Sequence, residues 1–264
     1  MNLLVLGCGV MGESILAGAL ESAGDLRATV VEPRRERAAE LADRYDISLG
    51  EASSAAADAD VVLVAVKPND VRSALESVAE NLPSSALVIS VAAGLPTLRL
   101  ESWLASGQPV VRAMPNTPAL VRAGITALCA GTAATGEHLG LAEQVLSAVG
   151  SVVRVPEYQM DAVAAVSGSG PAYVFLLVEA LTEAGVRVGL PRDLAFRLAA
   201  QTLAGSSALL DATGEHPAVL REQVTSPGGT TAAALHRLEA HGLRAAFLDA
   251  VVANRDRSRE LAAE

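Results

Sequence analysis

Aromatic side chains are scarce in this chain of 264 residues, where Phe, Tyr and Trp together make up 3%. Its interior must be filled by Ala, Val and Leu, whose small side chains let helix backbones approach closely; faces of that kind suit contact with another subunit. Cysteine is almost absent: Cys8 and Cys129 stand far apart, outside any C-x-x-C pair or Cys/His cluster. That excludes a disulfide framework and a structural zinc, and fits a reducing cytoplasm. The uninterrupted apolar stretches, such as Ala172 to Val178, fall far short of the roughly 20 residues that cross a bilayer. Met1 leads into Leu3 to Leu6 with no basic segment before it, so a soluble, cytoplasmic protein without a membrane association is expected. Basic residues are outnumbered, 20 against 30 acidic, for a net charge of −10. With no basic face to neutralise phosphates, nucleic acid is excluded as a partner. The four histidines, His138, His216, His236 and His241, show neither metal-ligand spacing nor a Ser/His/Asp order, so no metal and no hydrolytic triad is expected.

Hydrophobic residues, by contrast, make up 51% of the chain and charged ones only 19%, too apolar for disorder. At roughly 150 residues per domain the length allows two domains. Asn2 to Leu6 reads as a strand, followed by a glycine-rich turn and a helix to Gly24. Ala28 to Val31, Val61 to Val66, Ala86 to Val91 and Pro109 to Arg112 read as further strands. Helices are predicted between them at Arg34 to Tyr45, Asp70 to Leu82 and Pro96 to Ala105. Alternation of this kind predicts a parallel β-α-β sheet with right-handed crossovers, its edge extended by Gly124 to Ala130 and Val152 to Val155 around a helix over Glu137 to Val149. Beyond Pro156 the apolar spacing turns helical, as at Val174, Leu177, Val178 and Leu181, and no strand is predicted. Pro171 and Pro191 suit helix starts, Gly185 and Gly189 a helix exit. The domains predicted are therefore 1–156 and 157–264.

In Gly7-x-Gly9-x-x-Gly12 the first glycine permits the turn, the second lets backbone approach a pyrophosphate, and the third lets helix and strand pack closely. The turn follows the first strand, opens a helix at Val10 and Met11, and precedes the acidic Glu32 by 20 positions. That context makes it a dinucleotide site, with helix amides on the phosphates. Glu32 stands where a carboxylate accepts the ribose 2′-hydroxyl of NAD, while Arg34 and Arg35 are placed to pair with the 2′-phosphate of NADP. The expected cofactor is NADPH, with NADH also usable. Val66-Lys67-Pro68-Asn69 ends the presumed central strand, where open sheets hold their ligands, and Lys67 is the only lysine in the chain. Ala92-Ala93 and Asn116 follow the next two strands and are assigned to the nicotinamide crevice. In the helical half, Ser167-Gly168-Ser169-Gly170-Pro171 and Thr225-Ser226-Pro227-Gly228-Gly229-Thr230-Thr231 each precede a helix. Either loop reads as an N-cap or as a carboxylate site built on free helix amides.

Taken together, these segments and Arg112-Ala113-Met114-Pro115-Asn116-Thr117-Pro118 closely resemble the pyrroline-5-carboxylate reductase family, in that family's order over nearly the whole chain. The resemblance implies an α/β Rossmann-type N-terminal domain with an all-α C-terminal dimerisation domain. It also implies reduction of 1-pyrroline-5-carboxylate to L-proline by hydride transfer from NAD(P)H, in a homodimer often assembled into a decamer. By motif match, Ser226, Gly228, Gly229, Thr230 and Thr231 bind this small-molecule substrate, the amides of Gly229 to Thr231 taking its carboxylate. Thr231 is the implied catalytic residue. Glu32-Pro33-Arg34 departs from the Asn/Ser-Arg type of sequence common after the second strand in the family. Two rival readings are a β-hydroxyacid dehydrogenase or imine reductase, and a non-catalytic nucleotide sensor. The hydroxyacid enzymes require a lysine after the domain boundary, and residues 157–264 contain none.

Overall fold

The computed structural model describes residues 1–22 and 24–263, with side chains through Glu260. β1 (Asn2–Leu6) leads through the glycine turn into α1 (Val10–Ser22), and β2 (Arg27–Val31) into α2 (Arg35–Arg44). β3 (Ser48–Leu49), α3 (Ala52–Ala56), β4 (Val61–Val64), α4 (Val71–Ala79), β5 (Leu87–Ser90) and α5 (Thr97–Glu101) continue the alternation. β6 (Val110–Met114), β7 (Gly124–Ala130), α6 (Gly136–Leu146) and β8 (Gly150–Arg154) complete the sheet. Its strand order is β3-β2-β1-β4-β5-β6-β7-β8. Every residue of β4 and β5 is buried, as befits parallel strands covered on both faces. One face packs Ile15 and Leu16 of α1 and Leu146 of α6 against Val5, Leu63 and Ile89; the other packs Leu75 and Val78 of α4 against Leu4, Val62 and Val88.

The all-parallel expectation fails at one place. β7 pairs with β6 antiparallel, Met114 opposite Ala127 and Val111 opposite Ala130, while β8 returns parallel to β7. The cause is the length of the connection. A parallel neighbour needs a crossover of about a dozen or more residues, whereas Met114 reaches Gly124 through a short 3-10 turn, Thr117–Val121, that ends on Arg122 in the left-handed region. β3 and α3, of two and five residues, are too short for hydrophobic periodicity to reveal.

By internal contacts the chain divides into two compact units, Met1–Ser169 with Asn254–Glu264, and Gly170–Ala253. After β8 the first unit includes α7 (Met160–Val163), which runs into a π-helical turn, Ala164–Gly168. The second unit holds α8 (Gly170–Arg187), α9 (Arg192–Thr213), α10 (Pro217–Gln223), α11 (Thr230–Ala240) and the start of α12 (Leu243–Ala263). Pro171 lies in the first turn of α8, and Pro191 is the N-cap of α9. Gly185 does not end its helix as expected. It stays inside α8, where a β-carbon would come within 2.9 Å of Ala195 Cβ, so its smallness serves the close approach of α9. The helical run Glu157–Arg187, 31 residues with mean hydropathy 1.4, is long and apolar enough to cross a membrane by length and composition. Reading uninterrupted apolar stretches misses this run, because scattered polar residues divide it.

Candidate active site

The carboxyl ends of β1, β4, β5 and β6 share one edge of the sheet, and the order reverses at β1, where a doubly wound sheet opens its crevice. Gly7 turns the chain at φ +78°, and a β-carbon there would collide with Val66 at 2.4 Å. At Gly12 a β-carbon would meet the Gly7 carbonyl oxygen at 2.8 Å, whereas beside Gly9 the space is open. This is the cradle that a pyrophosphate requires: a crowded turn on the strand side, free space over the middle glycine, and the first amides of α1, at Val10 and Met11, at its rim. The residues present therefore fit a dinucleotide.

Behind the turn lies a charge cluster. Glu32 accepts hydrogen bonds from the amides of Cys8 and Arg34, both at 3.1 Å, and from Arg34 Nε at 2.8 Å and Nη2 at 3.2 Å. Burial alone would raise its pKa, but the Arg34 side chain and those two amides hold it below the ordinary carboxylate value. Arg37 donates from Nε to the Cys8 carbonyl at 3.2 Å and pairs with Glu13. Glu13 also binds Arg44 and accepts from the Tyr45 hydroxyl at 3.1 Å. Hence the glycine loop is held from α1, α2 and the end of β2. Arg35 is exposed and makes no ion pair among the described residues.

Burial pushes the Cys8 thiol up to about 12 and that of Cys129 to about 11. Since the thiolate is the reactive form, the folded protein is expected to resist a thiol reagent at neutral pH at both positions, and the unfolded chain to titrate two thiols. Rapid modification of either cysteine in the native state would contradict this packing.

Between the loops after β4, β5 and β6 lies a cavity of about 910 Å³. Lys67, Pro68 and Asn69 line one side, Ala93 and Met114 another, and Asn254 and Ser258 of α12 close it. Lys67 is exposed and makes no ion pair among the described residues. Ala92, assigned to the crevice from sequence, is 5% exposed and packs in the core instead, leaving Ala93 to line the cavity. The Asn116 side chain is engaged at both ends, accepting from the Ile125 amide at 2.9 Å and donating to the Ser167 carbonyl at 3.2 Å. It ties β7 to the π-helical turn. Next to that turn, Asn254 donates to Ser169 Oγ at 2.8 Å.

In the other unit, the loop ahead of α11 places Gly229 as N-cap with no side-chain acceptor for the first helical amides. The Gly229 amide itself donates to the Ser226 carbonyl at 3.0 Å. Of the three amides assigned to a carboxylate, those of Thr230 and Thr231 are thus the ones left for a ligand, because turn closure consumes the first. Ser226 and Thr230 are exposed and Thr231 is half-buried. Among the described residues, no group of three or more His, Cys, Asp or Glu is placed to hold a metal.

Comparison with known proteins agrees with this geometry. The profile of pyrroline-5-carboxylate reductase dimerisation matches residues 157–261, and that of coenzyme F420-dependent NADP oxidoreductase matches residues 2–94. A pyrroline-5-carboxylate reductase of Mycobacterium leprae is 45% identical, the match covering 98% of this chain and 96% of the relative. The chain belongs to the pyrroline-5-carboxylate reductase family. The Arabidopsis thaliana reductase is 40% identical over 97% of this chain and 94% of its own. Among solved structures, the Coxiella burnetii reductase superposes with a TM-score of 0.94 at 38% identity, covering 98% of both chains. A Plasmodium falciparum reductase with NADP bound gives 0.86 at 29% identity, covering 99% of this chain and 98% of that one. In this reductase, Glu13, Arg37 and Asn254 escape sequence reasoning, and so does the pairing of Asn254 with Ser169, a residue of a loop that the sequence does single out. Only the 24 positions from Glu13 to Arg37 separate the first pair, yet no periodic signal links them. The second pair spans 85 positions.

Proposed function

We propose that this reductase converts 1-pyrroline-5-carboxylate to L-proline with NADPH as its preferred cofactor. The observation that carries this reading is the presence in one chain of the cramped Gly7 turn, open above Gly9, and the uncapped start of α11 at Thr230. When bound, the nicotinamide supplies the hydride that adds to the imine carbon. The protein's part is positioning. The glycine turn with Val10 and Met11 holds the pyrophosphate, Arg34 and Arg35 the 2′-phosphate, and the loops bearing Val66, Lys67, Asn69, Ala93 and Asn116 the nicotinamide half. The amides of Thr230 and Thr231 take the substrate carboxylate, aided by the positive end of the α11 dipole. The Thr231 hydroxyl bonds the ring nitrogen. A cyclic imine protonates readily, so the electrophile arrives charged and needs alignment more than a strong acid. The purified protein should oxidise NADPH only when pyrroline-5-carboxylate is added, forming one proline per NADPH. NADPH oxidation without proline would refute the reading.

The domain roles follow: 1–156 for the dinucleotide, 157–264 for substrate and dimerisation. Only 6% of the most apolar window of Glu157–Arg187 is buried within the chain. A second copy covers this face rather than a lipid bilayer, in a cytoplasmic homodimer that associates further into a decamer. Apolar surface of this extent is not left bare in a soluble monomer. Light scattering at micromolar concentration should therefore find no active monomer, and a stable, active one would contradict the assignment.

A further inference from the structure

We propose that Arg34 is a latch on Glu32, and that this one side chain makes the adenosine end of the site read a phosphate instead of a hydroxyl. The proposal rests on the NADPH reading above and explains how a chain with a carboxylate after β2 achieves it. A carboxylate has about four lone-pair sites. In Glu32 all are taken: Oε1 accepts from the Arg34 amide and Nε, and Oε2 from the Cys8 amide and Arg34 Nη2. The Glu32 side chain is 3% exposed, and that of Arg34 65%. A ribose arriving at the end of β2 therefore meets guanidinium, with no carboxylate lone pair left to accept its 2′-hydroxyl.

Arg34, by contrast, keeps donors to spare. The guanidinium has five N–H groups in a planar fork. Only its Nε and Nη2 sides are spent on Glu32, so a 2′-phosphate can bind the remaining edge without breaking the ion pair. Bidentate pairing also fixes a side chain that would otherwise sweep through solvent, and Glu32 is itself anchored by two backbone amides. Those amides survive when the Arg34 side chain is removed. In Arg34→Ala the carboxylate stays where it is, with one acceptor site vacated on each oxygen, and becomes a hydroxyl reader.

The test is calorimetric titration of the cofactor-free protein with NADPH and with NADH, for wild type, Arg34→Ala and the double variant Arg34→Ala with Glu32→Gln. Thermal melts check that each variant is folded. The latch predicts that Arg34→Ala weakens NADPH at least about 10-fold and tightens NADH roughly 3- to 10-fold, the net gain of an ordinary hydrogen bond. In the double variant the NADH gain should disappear. If Arg34→Ala leaves NADH binding unchanged or weaker, or if the gain persists without the Glu32 carboxylate, the latch is refuted. The NADPH reading is judged separately on wild type, where equal affinity for the two cofactors would overturn it whatever the variants do.

Discussion

Thr231→Ala is expected to lower turnover with pyrroline-5-carboxylate by about one to two orders of magnitude, the loss of a hydrogen bond of roughly 1.4–3 kcal/mol realised in the transition state. The substitution leaves the amides of Thr230 and Thr231 in place, so the carboxylate keeps its seat and the Michaelis constant for substrate moves little. NADPH affinity should stay constant, since the proposed contact is to the substrate nitrogen. Thr231→Val keeps the shape and removes the same oxygen, and should behave alike. Because α11 uses no side-chain cap, a helix-capping role for Thr231 has no contact to rest on. Unchanged turnover with a lower melting temperature would nevertheless establish such a role and remove the catalytic one.

Removing both arginines at the head of α2, Arg34→Ala with Arg35→Ala, should weaken NADPH about 10- to 150-fold, the worth of a charged contact of roughly 1.5–3 kcal/mol. NADH should not suffer in parallel. Both side chains are exposed and outside the core, so the fold tolerates the change. Equal Michaelis constants for NADPH before and after would take the arginines out of the site. Since the effect is largely electrostatic, it should shrink as salt rises.

Asn2 to Leu6 followed by three glycines is a local signal, and backbone conformation and close approach at Gly7 and Gly12 are what the structure shows there. Val61 to Val66 and Ala86 to Val91 read directly as buried strands because apolar runs have few other uses, and the strands found there are Val61–Val64 and Leu87–Ser90. The direction of β7 is not written in its own residues; it follows from the shortness of the Met114 to Gly124 connection. Likewise the standing of Glu32 depends on what fills its lone pairs, and Cys8 lies 24 positions away. From sequence, Glu32 and Arg34 read as competing signals, one for each cofactor. In the structure they are partners in a single ion pair. Asn116 reads as a free amide in a crevice loop, yet its two ends are spent on Ile125 and Ser167. Long-range polar pairing of this kind leaves no periodic trace in the chain.

NADPH deuterated at the transferring position of the nicotinamide shows whether the site aligns cofactor and pyrroline-5-carboxylate for direct reduction of the imine carbon. Mass spectrometry and NMR of the product should find one deuterium per proline, at the ring carbon that was doubly bonded to nitrogen, and on one face only. Proline formed without deuterium, or with label scattered between faces, would contradict a site in which the protein holds both reactants in a fixed alignment.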